Sequence, residues 1–410
     1  VADTQQLRKA RPKALPKAKS PVEKPEKTAR ASDADAQAVV LSLRKKLGTK
    51  TSTVVHLLSD QSSLSEVQEW IPTGFADLDR CLGGGWAVGR CSEVFGDEAS
   101  GKSALAHSAI RECQRRGGLA MLLDYEQALD KKKIRNVGID ETRLVYVAPE
   151  SMEEGWEAIW AFLDSVKARK LQGPALIVWD SIAAAIPKVE LEGKMDEHAV
   201  GAHARLMSKG CRKASRAVAK ARAHLMWINQ YRSKIGGGGW HGGPDKDTTG
   251  GRAAKFYSSQ RLSCTRIKRI KPSSDAGVPP SGYLILCETQ KCRLAPPHRK
   301  TEWVLDFVEG PSASLTTQHL LLQAGLVRTR GSGRARVPWQ PKDQLVKLRA
   351  WAKLWHEDPK FRREAGKALE EIVTAGGTFA YLQARKKVDP DAEGDEDVEG
   401  DEPESDSDAD

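Results

Sequence analysis

A chain of 410 residues, 40% hydrophobic and 29% charged, has room for two or three domains with sizeable cores, which excludes a fibrous or wholly disordered protein. No apolar run reaches the roughly 18 to 20 residues of a membrane span. The opening segment, with Arg8, Lys9, Arg11 and Lys13 among Ala and Pro, lacks a signal-peptide core, so a cytoplasmic protein with no membrane partner is expected. Net charge is +10 although residues 391–410 carry only acidic charges, so the body is more basic still and suits a polyanionic partner.

Residues 1–33 alternate Lys and Arg with Ala and Pro and read as a basic, disordered arm. Within 34–68 an amphipathic helix is predicted over Asp35–Leu47, followed by a short strand over Thr53–Leu58. From 69 to 310, short apolar runs alternate with helical stretches, the pattern of a mainly parallel sheet with helices on both faces. Strands are predicted at Cys91–Phe95, Leu119–Asp124, Leu144–Val147, Ala175–Trp179 and Leu225–Asn229. The runs Arg261–Ile270, Tyr283–Thr289 and Glu302–Val308 have no long helices between them and read as an antiparallel extension. Residues 311–388 turn helical, with Leu345, Leu348, Trp351, Ala352, Leu354 and Trp355 at helical spacing, and suggest a small α-rich C-terminal domain whose tryptophans are core. Residues 389–410 are an acidic tail, expected to be self-repelling and disordered. The fold class is α/β with a mixed, mainly parallel sheet. Seven cysteines without a C-x-x-C pair and nine histidines without metal spacing point to neither a disulfide framework nor a structural metal.

The run Gly96-Asp97-Glu98-Ala99-Ser100-Gly101-Lys102-Ser103 lies between a predicted strand and a helix, the context a phosphate-binding loop requires. Glycines let backbone N–H groups face phosphate, Lys102 adds a point charge, and the Ser103 hydroxyl suits Mg²⁺. Asp180, ending the Ala175–Trp179 run, is the second candidate Mg²⁺ group, helix capping being the alternative. Glu126, just past Leu119–Asp124, is a candidate to polarise the attacking water. Gln230, after Leu225–Asn229, is an amide placed to sense a terminal phosphate.

Together with Thr73-Gly74, Leu78-Asp79, Pro187-Lys188, Glu190 to Gly193, Lys234 to Gly236, Thr248 to Gly251, Lys255 to Tyr257 and Lys291, this order of motifs resembles the bacterial RecA recombinase family, most closely over Ile71–Pro296. The resemblance implies a RecA-type ATPase core over 69–310, with 34–68 as a polymerisation arm. It also implies a helical filament on DNA, with ATP and Mg²⁺ held between protomers. Asp130 would then lie at the nucleotide, Phe256 at the protomer interface, and Lys291 with Arg293 would reach a neighbour's phosphates. DNA loops would correspond to Glu192–Gly201 and about Tyr231–Gly251, with Arg205, Arg212, Arg232, Lys234, Trp240, Gly250, Gly251, Arg252 and Lys255 as candidate contacts to single- and double-stranded DNA. The chain departs from the family at Lys133, where a tyrosine usually faces adenine, at Asp97 for proline, at Val200 for methionine, and in a longer Gly-rich second loop. The implied activity is a DNA-dependent ATPase that promotes strand exchange in DNA repair, with a LexA-like repressor as a further partner. The alternative is a RecA-derived nucleotide-binding scaffold without strand exchange.

Overall fold

The computed structural model describes residues 33–47, 55, 57, 67–169, 171–193, 201–233, 246–271, 278–330, 333–341, 344–378 and 380–381. The predicted basic arm apart from its last residue, most of Thr53–Leu58, residues 194–200 and 234–245 of the two predicted DNA loops (with Val200, Lys234 and Trp240), and the acidic tail lie outside them. The chain divides into one unit up to Glu66 and a second from Val67. In the first, α1 (Asp33–Leu47) places Asp33 and Asp35 in its first turn and Arg44, Lys45 and Lys46 in its last, complementing the helix dipole. No residue of α1 is buried, and Val39, Leu41, Leu43 and Leu47 are exposed.

The second unit runs β1 (Trp70–Ile71), α2 (Ala76–Leu82), β2 (Trp86–Ala87), β3 (Cys91–Gly96), α3 (Lys102–Arg115), β4 (Leu119–Asp124), α4 (Lys131–Val137), β5 (Leu144–Val147), α5 (Met152–Arg169), β6 (Ala175–Asp180), α6 (Lys188–Glu192), α7 (Ala202–Lys220), β7 (Ala223–Ser233), β8 (Lys246–Thr248) and α8 (Gly251–Tyr257). It continues with β9 (Gln260–Ile270), β10 (Gly282–Cys292), β11 (Lys300–Asp306), β12 (Gly310–Ser312), α9 (Ala313–Gln323), β13 (Arg328–Thr329), β14 (Arg334–Arg336), β15 (Val346–Lys347), α10 (Trp351–Glu357) and α11 (Pro359–Thr374). None of these helices is long and apolar enough to cross a membrane.

A ten-stranded sheet in the order β12-β11-β10-β9-β3-β7-β6-β4-β5, with β8 on β7, forms the centre. Strands β9, β3, β7, β6, β4 and β5 are parallel, and β10, β11 and β12 add the expected antiparallel extension. Strand β3 is buried along its whole length, as a parallel strand covered on both faces must be. One face packs against α2, α3 and α4 through Leu78, Leu105, Ile110 and Ile134; the other packs against α5 and α7 through Trp156, Ile159, Met207 and Cys211.

Two predicted boundaries move for identifiable reasons. Strand β11 stops at Asp306 because its carboxylate accepts from the N–H groups of Val308 and Glu309, closing a turn that leaves Phe307 and Val308 exposed. The helix read from Leu345 begins only at Trp351, because Val346 pairs across β14 with Ala335 and a 3₁₀ turn follows. Trp351 is fully buried against Phe361 and Trp339, and its indole N–H donates to the Ser314 carbonyl at 3.1 Å, so it is core rather than a base-stacking surface.

A charged side chain inside β3 anchors the sheet. Glu93 is fully buried, paired with Arg261 Nε at 2.5 Å and accepting from Asn229 Nδ2 at 2.9 Å. Removing one partner of a buried pair strands the other charge at a cost of about 3–5 kcal/mol. Arg261→Ala is therefore expected to lower unfolding stability by about that amount. A denaturant melt superimposable on wild type would contradict the assignment.

Candidate nucleotide and DNA site

Register fixes the site. Gly96 pairs with Gln230, and Asp124 with Asp180, so the C-terminal ends of β3, β7, β4 and β6 meet along one edge of the sheet. The phosphate loop leaves that edge and enters α3. Its two closing glycines are sterically required: a Cβ on Gly96 would lie 2.2 Å from the Cys264 carbonyl oxygen. Gly101 adopts φ +83°, and a Cβ there would come within 3.0 Å of the Trp303 ring. Lys102 is buried beneath the loop, where Nζ donates to the Asp97 carbonyl at 2.6 Å and to Ser100 Oγ at 3.4 Å. Burial lowers its pKa, opposed by the carboxylates of Asp180, Glu126 and Asp97. A cation held at reduced hydration beside a helix N-terminus is matched to an incoming phosphate.

Asp180 is largely buried, and burial pushes its carboxyl up to about 6 against the hydrogen bond from Ser103. Glu126 and Asp124 raise it further and Lys102 lowers it. Such a carboxylate and hydroxyl pair is an oxygen donor set suited to Mg²⁺, which would relieve the crowding of negative charge. Because the folded pKa is raised, the carboxyl is ionised above about 6 and protonated below it. Proton competition then predicts that the Mg²⁺ concentration for half-maximal nucleotide binding rises about tenfold for each pH unit below that value. Titrating Mg²⁺ at several pH values checks this; a flat dependence in wild type would remove Asp180 from the metal site.

Glu126 lies where three strand ends converge: its Oε1 accepts from Ser181 Oγ at 2.8 Å and from Gln230 Nε2 at 3.4 Å. Gln230 N–H in turn donates to Asn229 Oδ1 at 2.9 Å, and Asn229 Nδ2 donates to the Thr249 carbonyl at 2.7 Å. Thr249 leads into Gly250 and Gly251, whose φ values of +92° and +68° start α8. Ser103, Glu126 and Asp180 share a cavity of about 460 Å³ with Asp130, Lys133 and Phe307. Asp130 also has a structural duty, capping α4 by accepting from Lys132 N–H at 2.8 Å.

Of the described candidate DNA residues, Arg205 and Arg212 lie on α7, Gly251, Arg252 and Lys255 on α8 with Gly250 as its N-cap, and Arg232 on β7. Arg205, Arg212 and Arg252 are exposed and Lys255 is half-buried. For Arg232 the backbone alone is described, at the end of β7. Lys291 Nζ donates to the carbonyls of Lys255 and Phe256 at 2.7 and 2.9 Å, and Arg293 donates to the latter at 3.2 Å. Both therefore hold the C-terminal end of α8 rather than reaching the phosphate loop of their own chain. Phe256 beside them is 64% exposed.

The Glu93–Arg261–Asn229 network went unread in the sequence, although a lone acid inside an apolar strand was a visible signal. His107 and Phe307, which line the cavity, carried no motif.

The family model of the RecA N-terminal domain matches residues 36–312. The chain belongs to the RecA family. It is 38% identical over 323 residues to Protein RecA of Aquifex aeolicus (strain VF5), covering 77% of this chain and 90% of that protein. Identity to Protein RecA of Chlorobium limicola is 38% over 276 residues, or 67% and 75% of the two chains; for Protein RecA of Nostoc punctiforme it is 33% over 343 residues, or 82% and 89%. The family-model match ends at Ser312, where the central sheet ends with β12 and the cluster built from α9, α10 and α11 begins.

Proposed function

We propose that this RecA-family protein is a DNA-dependent ATPase that polymerises on single-stranded DNA and pairs it with homologous duplex. The observation that carries the reading is the continuous chain from Glu126 through Gln230 and Asn229 to Thr249 at the head of α8. A nucleotide-sensing amide is thereby joined to the segment that bears Arg252 and Lys255.

In this reading the α3 N-terminus and Lys102 bind the phosphates, while Ser103 and Asp180 hold Mg²⁺. The metal supplies charge neutralisation across the phosphate oxygens. Glu126, kept in place by Ser181, orients a water and accepts its proton. Loss of the terminal phosphate frees Gln230 to turn toward Glu126, and Asn229 passes the change to Thr249. Exposed Phe256 and the unburied apolar residues of α1 supply surfaces for a neighbouring protomer.

The test is imaging of the purified protein with single-stranded DNA and a slowly hydrolysed ATP analogue, with strand exchange assayed in parallel. Nucleotide-dependent filaments that exchange strands are expected. Filaments without exchange would favour the scaffold alternative, and no filaments would reject the reading.

A further inference from the structure

Stability alone does not account for the ion pair of Glu93 and Arg261. Removing one partner is costly, yet replacing both with apolar side chains of similar volume is often neutral or stabilising. What an acid supplies inside β3 is direction. Glu93 pairs in register with Arg261 of β9 and lies one strand from Asn229 of β7, and both Glu93 and Asn229 are fully buried.

The direction is that of the Asn229 amide. Its Nδ2 donates to Glu93 Oε1 at 2.9 Å and to the Thr249 carbonyl at 2.7 Å, while Oδ1 accepts from Gln230 N–H at 2.9 Å. Turning the amide over would set its oxygen against two acceptors and its NH₂ against the Gln230 N–H. A carboxylate only accepts, so Glu93 admits one orientation. Its other oxygen, Oε2, is held by Arg261 Nε at 2.5 Å. The Arg261 guanidinium in turn lies 4.6 Å from the centre of the Phe95 ring, and Phe95 meets Tyr231 edge-on at 5.5 Å. Both chain neighbours of Gln230 are thereby braced by one ion pair, Asn229 through Glu93 and Tyr231 through Phe95. At the far end, Thr249 Oγ1 is buried without a hydrogen-bond partner among the described residues, so a rearrangement at the head of α8 forfeits no bond of that hydroxyl.

We infer that Glu93, backed by Arg261, is a positioning residue that fixes Asn229 so that a change at Gln230 reaches Thr249 and α8. The inference rests on the ATPase reading above. Glu93 does not line the cavity that holds Ser103, Glu126 and Asp180, so it acts through Asn229 and not on the nucleotide.

Three variants of the full-length protein separate positioning from packing. Glu93→Gln leaves one side-chain oxygen for two donors, so either Asn229 or Arg261 loses its partner. Glu93→Met combined with Arg261→Met removes the acceptor and both charges together, so no charge is stranded and the protein is expected to fold. Arg261→Lys keeps a cation on Oε2 and leaves Oε1 to Asn229.

The readout is the ratio of single-stranded DNA affinity with a slowly hydrolysed ATP analogue to that with ADP, measured beside fluorescent-nucleotide affinity and a denaturant melt. Wild type is expected to show a ratio of about fivefold or more. Glu93→Gln and the double Met variant are expected to bring it to about one with nucleotide affinity unchanged, and Arg261→Lys to keep the wild-type ratio. A double Met variant or Glu93→Gln that keeps the ratio overturns the inference. So does an Arg261→Lys variant that loses it, or a Glu93→Gln variant that loses nucleotide affinity along with it, since either marks a packing defect. If wild type binds DNA equally with both nucleotides, the ATPase reading fails by itself. Amide hydrogen exchange across residues 249–257 then still decides: a difference between the two nucleotides that Glu93→Gln erases supports the positioning role. No difference in wild type, or one that survives the substitution, rejects it.

Discussion

Glu126→Gln is expected to bind ATP and assemble on DNA like wild type while losing about 10²–10⁴-fold in DNA-stimulated turnover, the usual worth of a positioned base. The substitution separates geometry from basicity. Gln keeps a side-chain oxygen to accept from Ser181, now at 2.8 Å from Glu126 Oε1, so the position is preserved. What it lacks is the capacity to take a proton. Lys102→Ala should fail earlier: it removes the buried cation that stands on the Asp97 carbonyl under the loop, and nucleotide binding and nucleotide-dependent assembly are expected to disappear together. Labelled-ATP binding, phosphate release and imaging on the same preparations distinguish the two. Wild-type turnover by Glu126→Gln would remove Glu126 from the chemistry, and assembly by Lys102→Ala would detach the loop from filament formation.

The central strands β4 and β6 were legible because they are buried on both faces and so show as apolar runs. Leu119–Asp124 and Leu144–Val147 match the observed elements end to end. The phosphate loop was equally plain, since its glycines answer to steric demands at Cys264 and Trp303. Other features depended on tertiary pairing and left no local trace. Val346 and Lys347 read as helix because their neighbours have helical spacing, yet pairing with β14 makes them strand. Lys291 looked like a phosphate ligand by resemblance; its bonds to the α8 carbonyls appear only once β10 is laid beside that helix. The grouping of Lys133, His107 and Asp130 likewise joins α3 to the capping turn of α4, with Phe307 arriving from the far end of the sheet.

Lys291 and Arg293 supply the second large effect. Within one chain they crowd together at the α8 C-terminus, and burial followed by the Arg293 charge pushes Lys291 down to about 8. Neither forms an ion pair among the described residues. Two adjacent cations bonded only to carbonyls, beside an exposed Phe256, make a site that gains most from an anion brought by another molecule. If that anion is the ATP phosphate of a neighbouring protomer, each single Ala variant should lose about 10³-fold in DNA-stimulated hydrolysis, as for a cation supplied in trans to a phosphoryl transfer. A mixing experiment separates this from a local defect in α8. Lys291→Ala keeps Glu126, and Glu126→Gln keeps Lys291, so a head-to-tail filament mixed in equal parts rebuilds complete sites at about a quarter of its junctions. Activity should therefore return to roughly that fraction of wild type although both parents are inactive. A mixture no more active than its parents, or single variants that hydrolyse ATP normally on single-stranded DNA, would show that the ATP site is completed within one chain.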